Sequence, residues 1–276
     1  MSTQPPISRP APPAARSALA GFVPVFTWGV ARVLRRKKLL FVAAIVAGLA
    51  VLLGRIIADS TRPLQDLAEV LDFSILSFGL PLIVLILVGE GFTYEVQART
   101  LVYHLVRPVS RTTIFLARFF SGAVPAACVA LLLLVVLLAA SGADVEAKVW
   151  LSLPVTAVLG TLALGAVYYA LAALLRHGLI AGLIYTFVVE TLISSVPGSM
   201  QKFSVMFYVR SLHHGLTEGA LPVVVPEIEQ NPLLRAATEV SKVGTTQAIV
   251  TLLGITVVAL AIGAWRVSTR DWALKE

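Results

Sequence analysis

Apolar residues are concentrated in six runs of about 20 residues, separated by shorter polar stretches. At a rise of 1.5 Å per residue, a helix of about 20 residues crosses the roughly 30 Å hydrocarbon core of a bilayer. The pattern therefore predicts an all-α, polytopic membrane protein with six transmembrane helices. The predicted spans are Leu39–Ala58, Phe73–Gly89, Phe119–Ala140, Val149–Leu175, Gly178–Val196 and Thr246–Trp265.

The chain before the first span divides into two parts. Residues 1–20 are rich in Pro, Ala and Ser, which predicts a disordered tail followed by a single transmembrane domain over residues 21–276. Phe22–Lys38 combines apolar residues, Trp28 and a basic cluster, a pattern typical of a helix lying at the membrane interface. The alternative is that this segment is the basic flank of the first span.

The polar stretch Glu90–Arg118, between the second and third spans, is patterned rather than random. Glu95 and Arg99 are spaced i and i+4 with the acid first, the favourable order for an ion pair on a helix. Leu101 and Leu105 add an apolar side at helical spacing. The stretch therefore predicts a short helix outside the bilayer.

Pro108 should end that helix, and Ser110 is placed to cap the next one. The strings Glu95-x-x-x-Arg99-Thr100-Leu101 and Leu105-x-Arg107-Pro108-Val109-Ser110-Arg111 resemble the cytoplasmic loop of bacterial ABC transporter permeases of the type-2 exporter class. The resemblance implies a cytoplasmic coupling helix that contacts a separate ATPase subunit; an ordinary positive loop is the alternative. The implied ATPase-coupling residues are Glu95, Arg99, Thr100, Leu101, Leu105, Arg107, Pro108 and Arg111.

Composition and charge agree with a membrane protein. Hydrophobic residues make up 58% of the 276 and charged residues 13%, against about 25% charged in a typical soluble domain. The net charge of +7 does not indicate nucleic-acid binding, because the basic residues cluster beside the spans. With both termini in the cytoplasm, 15 of the 22 Lys and Arg residues lie on the cytoplasmic side, as the positive-inside rule favours. We expect a multi-pass protein of the cytoplasmic (inner) membrane of a bacterium.

Glu190 is an ionisable residue within the fifth predicted span. Such residues are costly in hydrocarbon and face the helix bundle or a wet cavity. The residue is therefore a candidate group on a transport path, or a group hydrogen-bonded to a neighbouring helix. The resemblance adds that such permeases carry an acid here, before a turn like Pro197-Gly198.

Ser199–Gly244 is the longest segment between spans, and the resemblance implies short helices at the outer face. His213 and His214 are adjacent, so on a helix they point about 100° apart, which is a poor spacing for metal ligands. We therefore expect them, with Arg210 and Glu218, to be surface polar residues and predict no metal site.

No phosphate-binding G-x-x-x-x-G-K-[ST] string occurs, so we expect no ATP hydrolysis and no cofactor on this chain. The resemblance implies the permease subunit of an ATP-driven ABC transporter, an exporter. Its implied partners are two ATPase subunits and a second permease chain, identical or homologous, in a lipid bilayer. The alternatives are an ion-coupled secondary transporter or channel using Glu190, and a membrane anchor without transport function.

Overall fold

The computed structural model describes residues 18–35, 37–89, 110–175, 177–193, 199–218, 220–221 and 243–269, and these residues contain helices and no strand. The predicted all-α fold is confirmed. In chain order the helices are α1 Ala18–Leu34, α2 Lys37–Ala58, α3 Pro63–Gly89, α4 Arg111–Ser141, α5 Ala147–Leu174, α6 Gly178–Ile193, α7 Val205–Leu216 and α8 Thr245–Thr269, with a 3₁₀ turn at Ser199–Phe203 before α7.

Five of these helices (α2, α3, α4, α5 and α8) are long and apolar enough to cross a membrane. The fifth span of the sequence prediction, Gly178–Val196, corresponds to α6. This helix is apolar, but its described part ends at Ile193 and is about 24 Å long at 1.5 Å per residue. The described residues therefore contain five helices of full membrane-spanning length and two shorter apolar helices, within α1 and at α6.

Helix α3 begins ten residues before the predicted start of the second span at Phe73. Pro63 occupies the first turn, where its missing N–H costs nothing and its fixed φ favours a helix. Leu67 and Leu71 are fully buried and extend the apolar side of the helix toward its N-terminus. The apolar run alone underestimated α3, because its first turns mix buried apolar residues with the charged Asp66 and Glu69.

Helix α4 has clear signals at both ends. The hydroxyl of Ser110, just before the helix, accepts a hydrogen bond from the N–H of Thr113 at 3.1 Å, which confirms the predicted cap. Gly142 follows the last residue with φ of +59°, a left-handed conformation that glycine adopts without steric cost.

Two spans contain π-helical stretches, which the hydrophobic pattern did not predict: Val70–Gly79 and Leu85–Gly89 in α3, and Thr186–Ile193 in α6. Two side-chain hydroxyl groups form hydrogen bonds with the spacing of this wider turn. Ser77 donates to the carbonyl of Asp72 at 2.8 Å, and Thr191 donates to the carbonyl of Thr186 at 3.2 Å, both five residues back.

The helices alternate in direction, so their termini gather at two ends of the bundle. Helix α1 lies at one end, where Phe22 contacts Phe120 near the start of α4 with ring centroids 6.3 Å apart. Helix α7 lies at the other end, where Gly215 approaches Thr245 at the start of α8. We call these the α1 end and the α7 end.

Candidate functional site

The predicted ATPase-coupling segment lies between α3 and α4. Most of it, residues 90–109, lies outside the described residues, including Glu95, Arg99, Thr100, Leu101, Leu105, Arg107 and Pro108. Arg111 is the first residue of α4. The structure therefore describes only the two flanks of the segment, Gly89 and Ser110.

Both flanks lie at the α1 end. Gly122, one helical turn beyond Arg118, faces the backbone of Val88 in the last turn of α3. Arg118 stacks on Trp28 of α1 with its guanidinium carbon 4.7 Å from the ring centroid, and Arg32 of α1 lies 5.2 Å from the same ring. Helix α1 therefore packs beside the start of α4, the helix that follows the predicted coupling segment.

Charge is distributed unequally between the two ends. Among the described residues, the acidic side chains all belong to the α7 end: Asp59, Asp66, Glu69, Asp72, Asp144, Glu146, Glu190 and Glu218. The described basic residues of the α1 end are Arg32, Arg35, Lys37, Lys38, Arg111, Arg118 and Arg266. The α1 end is therefore the basic end of the described bundle.

Glu190, the second candidate, lies in the π-helical part of α6 and is fully buried. Its carboxylate accepts hydrogen bonds from the N–H groups of Val205 at 3.2 Å and Met206 at 2.9 Å. These are the first two residues of α7, whose N–H groups have no partner within the helix. Glu190 thus caps the N-terminus of α7 from a neighbouring helix, where the helix dipole also favours a negative charge.

Ser204 completes this cap. Its hydroxyl donates to Oε2 of Glu190 at 2.6 Å and accepts from the N–H of Phe207 at 3.3 Å. The hydroxyl of Tyr185, one turn before Glu190 on α6, also hydrogen-bonds this carboxylate. The first three N–H groups of α7 are therefore satisfied, and a buried carboxylate is surrounded by donors.

A second acidic residue, Asp72 of α3, meets α7 near its other end. Oδ2 of Asp72 lies 2.8 Å from Nε2 of His214. Arg210, one turn earlier on α7, interacts with the carboxylates of both Asp72 and Glu190. Burial lowers the pKa of the Arg210 guanidinium, and the two carboxylates oppose that shift.

The expectation that His213 is a surface residue is wrong. Its side chain is buried, and Nδ1 lies 3.4 Å from the hydroxyl of Ser152 on α5. Its neighbour His214 keeps 41% of its side chain exposed, and Glu218 is exposed. The two histidines face different helices, α5 and α3, as their 100° separation requires, and no metal-binding cluster occurs among the described side chains.

Sequence reasoning missed Asp72 and Ser204. Asp72 immediately precedes the predicted second span, Phe73–Gly89, and the hydrophobic pattern gave no reason to single it out. Ser204 carried a usable signal, because a serine directly before an apolar helical run is a typical N-cap.

The chain was compared with models of protein families. Residues 34–198, more than half of the 276, match the family described as ABC-2 family transporter protein. The matched region extends from the last residue of α1 past the described end of α6 and contains Glu190. A search of curated proteins gave no match.

Proposed function

The chain belongs to the ABC-2 transporter family, and from this premise we propose that it is the permease subunit of an ATP-driven exporter. The match to the family over residues 34–198 carries the proposal. An ABC permease works with an ABC ATPase. The segment 90–109, with its flank Arg111, is the proposed contact with that ATPase.

The geometry of the α1 end supports this contact. The segment connects the end of α3 to the start of α4, and α1 contacts α4 at this end, which is rich in basic residues. Positive residues favour the cytoplasmic side of a membrane, where ATP is available. We therefore place the α1 end, with both termini, in the cytoplasm of a bacterium and the α7 end outside its inner membrane. In this arrangement α6 is the sixth of the helices that cross the membrane.

ATP hydrolysis is assigned to partner subunits. The sequence contains no phosphate-binding loop, so we propose that this chain is not an enzyme and carries no cofactor. Two permease chains and two ATPases would form the complete transporter. Closure of the ATPases on ATP would push the segment 90–109 and move α3 and α4, its two flanking helices.

The ion-coupled alternative is less well supported by the surroundings of Glu190. Both carboxylate oxygens accept hydrogen bonds from α7. An ion or proton carrier would have to break these bonds in each cycle, which would leave backbone N–H groups buried without partners. These contacts favour a positioning role for Glu190 over a cargo-binding role.

Two substitutions test the ATPase contact. If Leu101 and Leu105 form the apolar side of a docking helix, Leu101→Asp or Leu105→Asp would bury an unpaired charge in the interface. Such a charge costs roughly 3–5 kcal/mol, so co-purification of the ATPase should fall at least about a hundredfold. The measurement is the amount of ATPase recovered with the tagged permease.

A matched control is Glu95→Lys, which reverses a charge at the rim of the same helix and should have a small effect, because exposed ion pairs contribute about 0–1 kcal/mol. Permease abundance in the membrane should be equal in all variants. Full ATPase recovery with both Asp variants would refute the docking role.

A further inference from the structure

Helix α7 is attached to the transmembrane helices at more than one place. Glu190 of α6 caps its N-terminus, and this contact uses backbone N–H groups. Near its C-terminus, His214 contacts Asp72 of α3 at 2.8 Å. The side chain of Asp72 is 16% exposed and that of His214 is 41% exposed, so this contact is partly shielded from water. The two carboxylates come from different spans, and both lie in π-helical stretches.

The residues involved share one side of α7. Met206, Arg210 and His214 are spaced four residues apart, so they form one stripe along the helix. The N–H of Met206 donates a hydrogen bond to Glu190. The charge of Arg210 interacts electrostatically with the carboxylates of Asp72 and Glu190. Glu190 and Asp72 therefore contact the two ends of this stripe, and Arg210 lies between them.

The buried residues of α7 cover the junction of α3 and α5. Val209 is fully buried. A methyl group on Gly160 of α5 would lie 2.8 Å from Leu80 of α3 and 3.4 Å from Val209. The three helices thus meet at Gly160, and α7 closes the bundle at this end.

We propose that Asp72 is a positioning residue for α7, and that Asp72 and Glu190 together hold α7 closed over the junction of α3 and α5. Asp72 acts through His214 and keeps the C-terminal half of α7 seated; Glu190 keeps the N-terminal half. Loss of the Asp72–His214 contact frees one end of the helix while the transmembrane helices stay packed. The inference concerns contacts within this chain and is independent of the ATPase and of the orientation in the membrane.

The test measures the accessibility of Val209. In a Cys128→Ser background, Val209→Cys places a thiol under α7, and a hydrophilic maleimide is added to permeabilised membranes so that both faces are reached. Asp72→His places two imidazoles together, and His214→Asp places two carboxylates together. Each change should increase the labelling rate of Val209→Cys about tenfold, the population change that corresponds to about 1.4 kcal/mol.

The swapped double variant Asp72→His with His214→Asp restores an acid beside an imidazole and should return labelling to the parent rate. This rescue would not occur if either residue mattered only for its size or for folding. Glu146→Lys changes an exposed ion pair with Lys148 at the same end and should leave the rate unchanged.

A second reporter separates opening of α7 from general unfolding. Ala126→Cys is buried in the middle of α4 and should stay unlabelled in every variant. An unchanged rate at Val209→Cys in both single variants would overturn the proposal. Equal increases at Val209→Cys and Ala126→Cys would overturn it as well, because Asp72 would then support the whole fold.

Discussion

Glu190 illustrates how a single acidic residue is accommodated within an apolar helix. A charged side chain inside hydrocarbon costs on the order of 2.5–3.5 kcal/mol on insertion scales. Hydrogen bonds from Ser204, Val205 and Met206 offset this cost, and the N-terminus of α7 adds a favourable dipole. The acid and the helix stabilise each other, since each would otherwise leave buried polar groups without partners.

His213 is also buried, but it has fewer hydrogen-bond partners than Glu190. Its Nδ1 has only the long contact to Ser152, and its Nε2 has no hydrogen-bond partner among the described groups. Burial lowers the pKa of His213 to about 4. The folded protein therefore favours the neutral imidazole, so the contribution to stability is present above the ordinary pKa of about 6.5 and is lost as the pH falls from there toward 4.

This predicts that the purified protein is less stable at about pH 5 than at about pH 7.5, and that His213→Leu removes part of the difference. At about pH 5 this histidine is protonated in the unfolded chain and mostly neutral in the folded protein, which lowers the free energy of unfolding by about 2 kcal/mol. The measurement is the melting temperature in detergent at both pH values. His177→Leu, which replaces an exposed histidine near the opposite end, should keep the full decrease. An equal decrease in His213→Leu would show that the pKa of His213 does not differ between the folded and the unfolded protein.

Glu190 and His213 also show which features of the fold the sequence could not predict. Glu190 was identified because an acid in an apolar run must be satisfied by some donor. Its donors could not be predicted, since two of them are backbone N–H groups, which every residue except proline carries. The burial of His213 was likewise not predictable, because it depends on α7 folding back onto α5.

Among the elements, α2 buries two larger residues, Leu39 and Ile57, and approaches α4 most closely where its buried residues are small. Ala50 and Gly54 are buried, while larger residues on other sides of α2 are exposed, among them Phe41, Ile45 and Leu52. A methyl group on Gly54 would lie 2.5 Å from Cβ of Ala140 and 2.9 Å from its backbone carbon on α4. The small residues let the two helix backbones approach closely, as is typical of membrane helices.

Gly54→Ala should therefore separate α2 from α4. The neighbouring atoms belong to the backbone and Cβ of α4, which cannot move aside as a flexible side chain could, and overpacking of this kind typically costs about 1–3 kcal/mol. We expect a lower melting temperature in detergent. The matched control is Gly48→Ala on the same helix, where a methyl group meets nothing within 4 Å and the melting temperature should not fall. Equal effects of the two changes would contradict close packing at Gly54.

Most elements were predictable because apolar runs of about 20 residues have few alternatives to membrane helices. The first and last residues of these helices were harder to predict. Helix α3 begins ten residues earlier than predicted, because its first turns combine the buried Leu67 and Leu71 with the charged Asp66 and Glu69. The π-helical turns are set by tertiary packing and by hydroxyl groups that bond five residues back, and hydrophobic periodicity carries no mark of either.

At the scale of the whole molecule, the separation of charge gives the bundle a direction. The described acidic residues all lie at the α7 end, and seven of the described basic residues, from Arg32 to Arg266, lie at the α1 end. Positive charge near span ends favours the cytoplasmic side. Exposed apolar side chains on α2, α6 and α8 provide surface suited to lipid.

The proposed orientation predicts opposite labelling of two exposed residues. Cys128 is exposed on α4 and must first be replaced by serine. Lys202, just before α7, and Arg35, just after α1, are both exposed and lie at opposite ends. A membrane-impermeant maleimide added to intact cells should label Lys202→Cys and leave Arg35→Cys unmodified, and permeabilised cells should show both. Labelling of Arg35→Cys alone in intact cells would show that the orientation in the membrane is the opposite of the proposed one. Residues 90–109 would then lie outside the cell, where no ATPase could reach them, and the assignment of this segment as the coupling element would fail.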